Sequence, residues 1–447
     1  MKNTEKKLRW VSAVLCIALF MSLPIVSHRV SDSSVMLTGS VRREILGIYG
    51  EIRSADGTVL MEQDGSTNYD VIFADLVGCK GGKVAQTLFY QYAAELTPRI
   101  DRFGSRRAAK RGNIMTTTLM SPSEHRAVID AFHGNEGAVY AYNYVTGEVL
   151  LALSVRKDGN GPETESKVLT ELHINGSTMK VLTTLLAAEQ DRAALDSFTY
   201  DCVGRHGDQY RSGEAVFCSQ GPHGANIGIV DMLGKSCNRA FANMAATDLD
   251  MAEAKQDLEK WGIGCGGVSK SVALGELKRS GSYTNIRSSS DGHTLSAFCG
   301  QGDNQISLID LAQIAGAIAN NGKAAEPYLV QSIVNDNDPE KPKVLQEAKV
   351  KLKTYASRKA AHTTYDYWKL ATDTYYRGLN RNLVPEITAA KTGTAELEQP
   401  FYRQNSFLLG ILEDSNVAFV VKVENFDQHG YHAADVANVL AELIAYR

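Results

Sequence analysis

A serine and a lysine three residues apart share one face of a helix. Ser177-Thr178-Met179-Lys180 offers that pair where Gly176 gives way to an apolar, helix-forming run that ends near Gln190. The lysine amine then stands over the serine hydroxyl. If packing strips water from the lysine, its pKa falls and the neutral amine can take the serine proton, turning a weak hydroxyl into a nucleophile. The serine backbone N–H, free at a helix start, can also donate to a developing oxyanion. Ser154 and Lys157 repeat the spacing, but they end a strand-like run and lead into polar loop, so they lack the buried helix this chemistry needs.

Two further clusters could act with that pair. In Ser236-Cys237-Asn238 a hydroxyl and a carboxamide two residues apart can face one way on a turn, the first relaying a proton and the second holding a substrate amide. Ser66-Thr67-Asn68 repeats the pattern, so S-x-N alone does not single out Ser236. Lys391-Thr392-Gly393-Thr394 opens a strand-like region. There the lysine supplies positive charge, the threonine hydroxyls suit a carboxylate, and Gly393 lets a substrate approach the backbone closely.

These residues need a scaffold, and the patterning supplies one. Gly137–Ser154 reads as a hairpin turning at Val145-Thr146-Gly147, and Ser406–Glu424 as a second turning at Glu413–Asn416. Between them, helical periodicity covers Thr178–Gln190, Ile229–Thr247, Ala252–Trp261 and Leu308–Asn320, and Ala433–Arg447 closes the chain. Strands at both ends of a segment with helices between predict an α+β domain, a largely antiparallel sheet packed by helices. Upstream, Asp56-Gly57 marks a tight turn between two β-prone stretches, and Ala85–Leu96 reads as helix.

The chain has 447 residues, 44% hydrophobic and 22% charged, which excludes a disordered or multi-span membrane protein. A net charge of −4 excludes a surface built to neutralise nucleic-acid phosphates, so no nucleic-acid partner is expected. The departure from this average is N-terminal. Lys2, Lys6, Lys7 and Arg9 precede Trp10–Ser27, which carries no charge and is just long enough to span a bilayer. The positive flank predicts a cytoplasmic N-terminus. A cleaved signal peptide is the rival reading, but the apolar run is long for one and no clear small-x-small site follows. Residues 28–45 read as a linker, and the basic run Arg99–Arg111 as a solvated helix face.

S-x-x-K, S-x-N and K-T-G in that order are the signature of serine β-lactamases and penicillin-binding proteins. The chain resembles the class B, monofunctional penicillin-binding proteins, which are peptidoglycan D,D-transpeptidases. Asn175–Lys180 is similar to that family's Pro-Gly-Ser-Thr-Phe-Lys, with Asn175 where proline is usual. Phe198–Gly204 and His223-Gly224 fall where members place similar residues. Gly300-Gln301-Gly302, Ala319–Gly322, Ala390–Glu396 and the upstream Glu51–Leu60 resemble further landmarks.

The resemblance implies Ser177 as nucleophile, Lys180 as its base, and Ser236 with Lys391 as the path of the leaving-group proton. It implies that Asn238, Thr392, Gly393 and Thr394 bind substrate. It also implies stem peptides ending in D-Ala-D-Ala as donors, a stem-peptide amine as acceptor, and β-lactams as acylating mimics. No cofactor is expected. A D,D-carboxypeptidase shares the three elements. A membrane-anchored β-lactam or muropeptide sensor acylated at the same serine is a further alternative, disfavoured by the short cytoplasmic tip.

The expected division is a cytoplasmic tip (1–9), a transmembrane anchor (10–27), a linker with a short pedestal-like domain (28–134), and the transpeptidase domain (135–447) on the outer face of the cell membrane. Some hundred residues outside anchor and transpeptidase are too few for a glycosyltransferase, so a separate glycan polymerase is the expected partner. Cys237 reads as a small buried residue. Cys202 and Cys218 read as buried free thiols or a disulfide. His206 and His223 stand at spacings that match no standard zinc pattern, so no metal is expected. Ser307 and Asp310 read as a helix capping box.

Overall fold

The computed structural model of the chain describes residues 47–67, 73–97, 111–157, 164–204, 216–218, 221–302, 304–335, 341–377, 382–396, 404–425 and 432–447. The expected anchor, the linker after it and the basic run up to residue 110 lie outside these residues. Among the described residues no helix is long and apolar enough to cross a membrane.

Both expected hairpins form, and their turns have local causes. Asn143 Oδ1 accepts the N–H groups of Val145 and Thr146, and Gly147 takes a positive φ, which reverses the chain between Gly137–Asn143 and Val149–Val155. Asn416, also at positive φ, closes the turn between Gln404–Leu412 and Val417–Val423. The two hairpins join through Val417–Val423 and Gly137–Asn143, so the ends of this segment meet at the middle of one sheet. Its order is Ala389–Glu396, Gln404–Leu412, Val417–Val423, Gly137–Asn143, Val149–Val155, antiparallel throughout.

All seven residues of Val417–Val423 are buried, so both faces of the sheet are covered. Directly paired residues share a face, and the row Tyr140, Val420, Leu409, Lys391 puts the lysine on the same side as Tyr142. Helix Leu308–Ala319 packs there, with Gly316 against the Tyr142 hydroxyl and the Tyr144 side chain. The other face carries helix Ala433–Ala445, whose first N–H donates to Ser406 Oγ. The helices between the hairpins thus sit on a largely antiparallel sheet, the expected α+β architecture.

A second five-stranded sheet has the order Lys343–Glu347, Val330–Asn335, Ile114–Thr117, Glu51–Arg53, Val59–Met61. Its last two strands turn at Asp56-Gly57 as expected, with Gly57 at positive φ. Val330–Asn335 pairs antiparallel with Ile114–Thr117, so this sheet draws strands from both sides of residue 135.

Two helical elements differ from the sequence reading. The expected helix Ile229–Thr247 is broken into Ile229–Gly234 and Asn238–Thr247. Ser236 sits in the break with φ +57, and the Cys237 sulfur caps the second helix by accepting the Ala240 N–H. An 18-residue helix, Arg358–Tyr375, appears where no helix was expected. Ser307 caps its helix through the Asp310 N–H, but the Asp310 carboxylate turns to Arg279, with Nη2 to Oδ1 at 2.7 Å, rather than completing a capping box.

Candidate active site

Three elements converge on one amine. Ser177 lies in a 3-10 turn, Gly176–Thr178, that runs directly into helix Met179–Gln190. Lys180, one turn on, places Nζ 2.5 Å from Ser177 Oγ, 2.7 Å from Asn238 Oδ1 and 3.3 Å from Ser236 Oγ. The lysine is fully buried, at 0% exposure. Desolvation pushes its pKa down from 10.5 to about 8, with the neighbouring Lys391 charge lowering it further and nearby cysteines opposing.

The donor inventory fixes what this arrangement does. A neutral lysine amine has two N–H groups and one lone pair. Asn238 Oδ1 has no proton to give, so one N–H goes to it, and Ser236 Oγ can take the second. The lone pair is then left for the Ser177 hydroxyl proton, the geometry a base needs. On the far side Lys391, also 0% exposed, puts Nζ 3.1 Å from Ser236 Oγ, 3.1 Å from the Tyr376 hydroxyl and 2.9 Å from its neighbour's carbonyl at Thr392. Ser236 therefore bridges the two lysines.

Glycines permit the close approach of the three strands of chain at the nucleophile. Ala389–Glu396 is the edge strand of the main sheet, and its free edge faces the Ser177 turn. A Cβ at Gly393 would lie 2.7 Å from the Asn175 carbonyl, and one at Gly300 would overlap the Gly176 carbonyl. Gln301 Nε2 donates to the Thr394 carbonyl at 3.3 Å, tying the Gly300–Gly302 turn to the same strand. Asn175 closes the nucleophile turn by hydrogen bonds in place of a proline ring: Nδ2 donates to Thr178 Oγ1 at 3.0 Å, and Thr178 Oγ1 donates to the Asn175 carbonyl at 2.8 Å.

All eight expected site residues fall in or beside this cleft. Asn238 Nδ2 reaches the Phe217 carbonyl at 3.1 Å, so its amide is held from both ends. Thr392 Oγ1 lies 3.4 Å from the Tyr376 hydroxyl, while Thr394 is exposed at the open edge. The look-alike Ser154 is elsewhere, its hydroxyl donating to the buried Asp75 carboxylate and accepting the Lys167 N–H. Ser66 is exposed and paired with Asp64. Tyr376 was missed. It follows the unexpected helix and carries no motif of its own, so only the fold reveals that it faces Lys391.

A buried lysine held against a serine hydroxyl, with a second lysine relayed through another serine, defines the class of serine acyltransferases. The family model described as the penicillin binding protein transpeptidase domain matches residues 137–445, and the chain belongs to that family. It is a penicillin-binding serine D,D-transpeptidase. No curated protein sequence matches the chain. Among solved structures it is similar to penicillin-binding protein A of Mycobacterium tuberculosis, at 20% identity and a TM-score of 0.71 over 90% of this chain and 100% of that one. The penicillin G acyl-enzyme of the same protein matches at 20% identity and 0.69, over 90% of this chain and 100% of that one. The D,D-transpeptidase domain of an Eggerthella lenta peptidoglycan glycosyltransferase matches at 20% and 0.69, covering 89% of this chain and 98% of that one.

Proposed function

We propose that Ser177 carries the acyl group and that Lys180 is its base. The donor is the D-Ala-D-Ala end of a stem peptide. Ser177 Oγ attacks the penultimate carbonyl as its proton passes to Lys180 Nζ, and the oxyanion lies between the backbone N–H groups of Ser177 and Thr394. Ser236, bridging to Lys391, returns a proton to the departing D-Ala amine. Asn238 holds the donor's amide, and Thr392 and Thr394 with Lys391 bind its terminal carboxylate beside the space Gly393 leaves open. The amine of a second stem peptide then attacks the ester carbonyl, its proton passing through Lys180 to the departing Ser177 oxygen, which frees the serine and forms the cross-link. The observation that carries this reading is the buried Lys180 amine within reach of Ser177, Ser236 and Asn238 at once.

In the same reading, residues 10–27 anchor the chain with the basic tip in the cytoplasm, and the catalytic part works on the outer face. Glycan strands come from a separate polymerase. The acylation chemistry leaves the acceptor open, and incubation decides it. Full-length protein given donor and acceptor stem peptides yields a cross-linked dimer by mass spectrometry if the acceptor is an amine. Trimmed monomer alone, or an acyl-enzyme that never turns over, would replace transpeptidation by carboxypeptidation or sensing.

A further inference from the structure

Four residues that the acylation chemistry does not use meet behind the Ser236–Asn238 turn. Cys202 ends the short strand Tyr200–Cys202, Cys218 lies in the 216–218 segment, His223 precedes strand Gly224–Ile227, and Cys237 caps helix Asn238–Thr247. Their separations of 16, 5 and 14 positions fit no short zinc motif, which is why spacing alone led to the expectation of no metal. In the fold their ligand atoms all lie within 4.8 Å of one another.

We propose that these three sulfurs and one imidazole form a tetrahedral zinc site that braces the Ser236–Asn238 turn. Zinc bonds of about 2.3 Å to sulfur and about 2.0–2.1 Å to nitrogen give tetrahedral edges of about 3.8 Å between sulfurs and about 3.5 Å between sulfur and nitrogen. Of the six edges, three match closely, at 3.8 Å for Cys202 Sγ to Cys218 Sγ, 3.7 Å for Cys218 Sγ to Cys237 Sγ and 3.4 Å for Cys202 Sγ to His223 Nδ1, and the other three lie within 4.8 Å, so the ion would draw those atoms slightly together. A disulfide needs about 2.0 Å and would pair only two of the three sulfurs. The three cysteines are buried, while His223 is half-exposed and offers the ion a way in.

The surroundings suit thiolates. The Ala240 N–H donates to Cys237 Sγ at 3.4 Å. Such backbone donors at the start of a helix orient and stabilise metal-bound sulfur. On binding, each thiol gives its proton to solvent and each sulfur an electron pair to the ion. Neutral His223 supplies the fourth pair, nothing is oxidised or reduced, and the site carries a net charge of −1. Three thiolates with one imidazole select zinc over harder divalent ions.

The site would grip the S-x-N element from two sides. Cys237 stands between Ser236, in its left-handed conformation, and Asn238. Cys218 adjoins Phe217, whose carbonyl accepts from Asn238 Nδ2. The metal therefore acts on acylation only by positioning.

The test uses the full-length chain, purified in detergent without chelators or metal-charged resin, and measures metal by plasma mass spectrometry. About one zinc per chain is expected. Cobalt exchanged into the protein should show the ligand-field and thiolate charge-transfer bands of a tetrahedral thiolate site. Cys202→Ser and Cys218→Ser, which each remove a ligand, should bind zinc at least about tenfold more weakly, and His223→Cys, which replaces the imidazole by a sulfur donor, should retain it. The proposal is overturned if wild-type protein offered excess zinc or cobalt binds neither and its thiols alkylate freely. It is equally overturned if non-reducing peptide maps find Cys202–Cys218 or Cys218–Cys237 disulfide-linked. The wild-type measurements stand even if a variant fails to fold.

Discussion

Lys180 Nζ and Asn238 Oδ1 lie 2.7 Å apart, and that contact couples the nucleophile helix to the S-x-N turn. An acceptor-only amide oxygen at this place consumes one N–H of the amine and helps leave the lone pair facing Ser177. A carboxylate there would hold the proton on the lysine instead. Asn238→Asp should therefore raise the Lys180 pKa by at least about one unit and slow β-lactam acylation at pH 7 about tenfold or more. The rate, measured by stopped-flow, should recover at higher pH than in wild type; an unshifted profile would remove Asn238 from this role.

The pH dependence of the wild-type enzyme follows from the same amine. Its pKa is lowered to about 8, so the protonated form dominates below that pH and the competent neutral form above it. Acylation should rise with pH and level off above about 8. Two units lower, about one amine in a hundred is neutral, and the rate should fall about a hundredfold. A rate constant flat from pH 6 to 9 would contradict Lys180 as the base.

Gly300 packs its α-carbon against the carbonyl of Gly176, at φ +89, where a side chain is both strained and sterically blocked. Gly300→Ala should cost about 1–3 kcal/mol and displace the nucleophile turn. The expected signature is a larger loss in acylation rate than the fall in melting temperature accounts for.

Helix Leu308–Ala319, which packs on the middle strands of the main sheet, depends on a buried ion pair. Asp310 receives Arg279 through both oxygens, at 2.7 and 3.1 Å, and also accepts from Ser307 Oγ. Asp310→Ala leaves the guanidinium buried and unpaired, a loss of about 3–5 kcal/mol. A domain of 150–250 residues loses about 2–4 °C per kcal/mol and a larger one less, so the melting temperature should drop by several degrees and by no more than about 20 °C. Replacing both partners by apolar residues should cost less than this single change, which differential scanning calorimetry would check.

What was readable in the sequence tracks how local each signal is. The two hairpins show because Asn143, Gly147 and Asn416 mark their turns, and the nucleophile helix shows because an apolar run follows Gly176. The Arg358–Tyr375 helix was hidden because its buried face is made of Ala360, Thr364, Tyr365, Trp368 and Thr372, too polar in sum to stand out. The break at Ser236 was hidden too, since helical periodicity continues across it and the left-handed residue is not a glycine. Tyr376 against Lys391 has no sequence signature, and although Cys202, Cys218, His223 and Cys237 each stand out in the sequence, their spacing does not show that they meet. Both depend on segments brought together only by the sheet and its helices.

Acylation of Ser177 with Lys180 as its base is read out by intact-protein mass spectrometry after incubation with a fluorescent penicillin. One adduct per chain is expected, mapped to the peptide holding Ser177. Ser177→Ala should carry no adduct, and Lys180→Arg, which keeps the charge but cannot serve as base, should react about 10²–10⁴-fold more slowly. An unlabelled wild-type protein, or an adduct that persists in Ser177→Ala, would contradict acylation at Ser177.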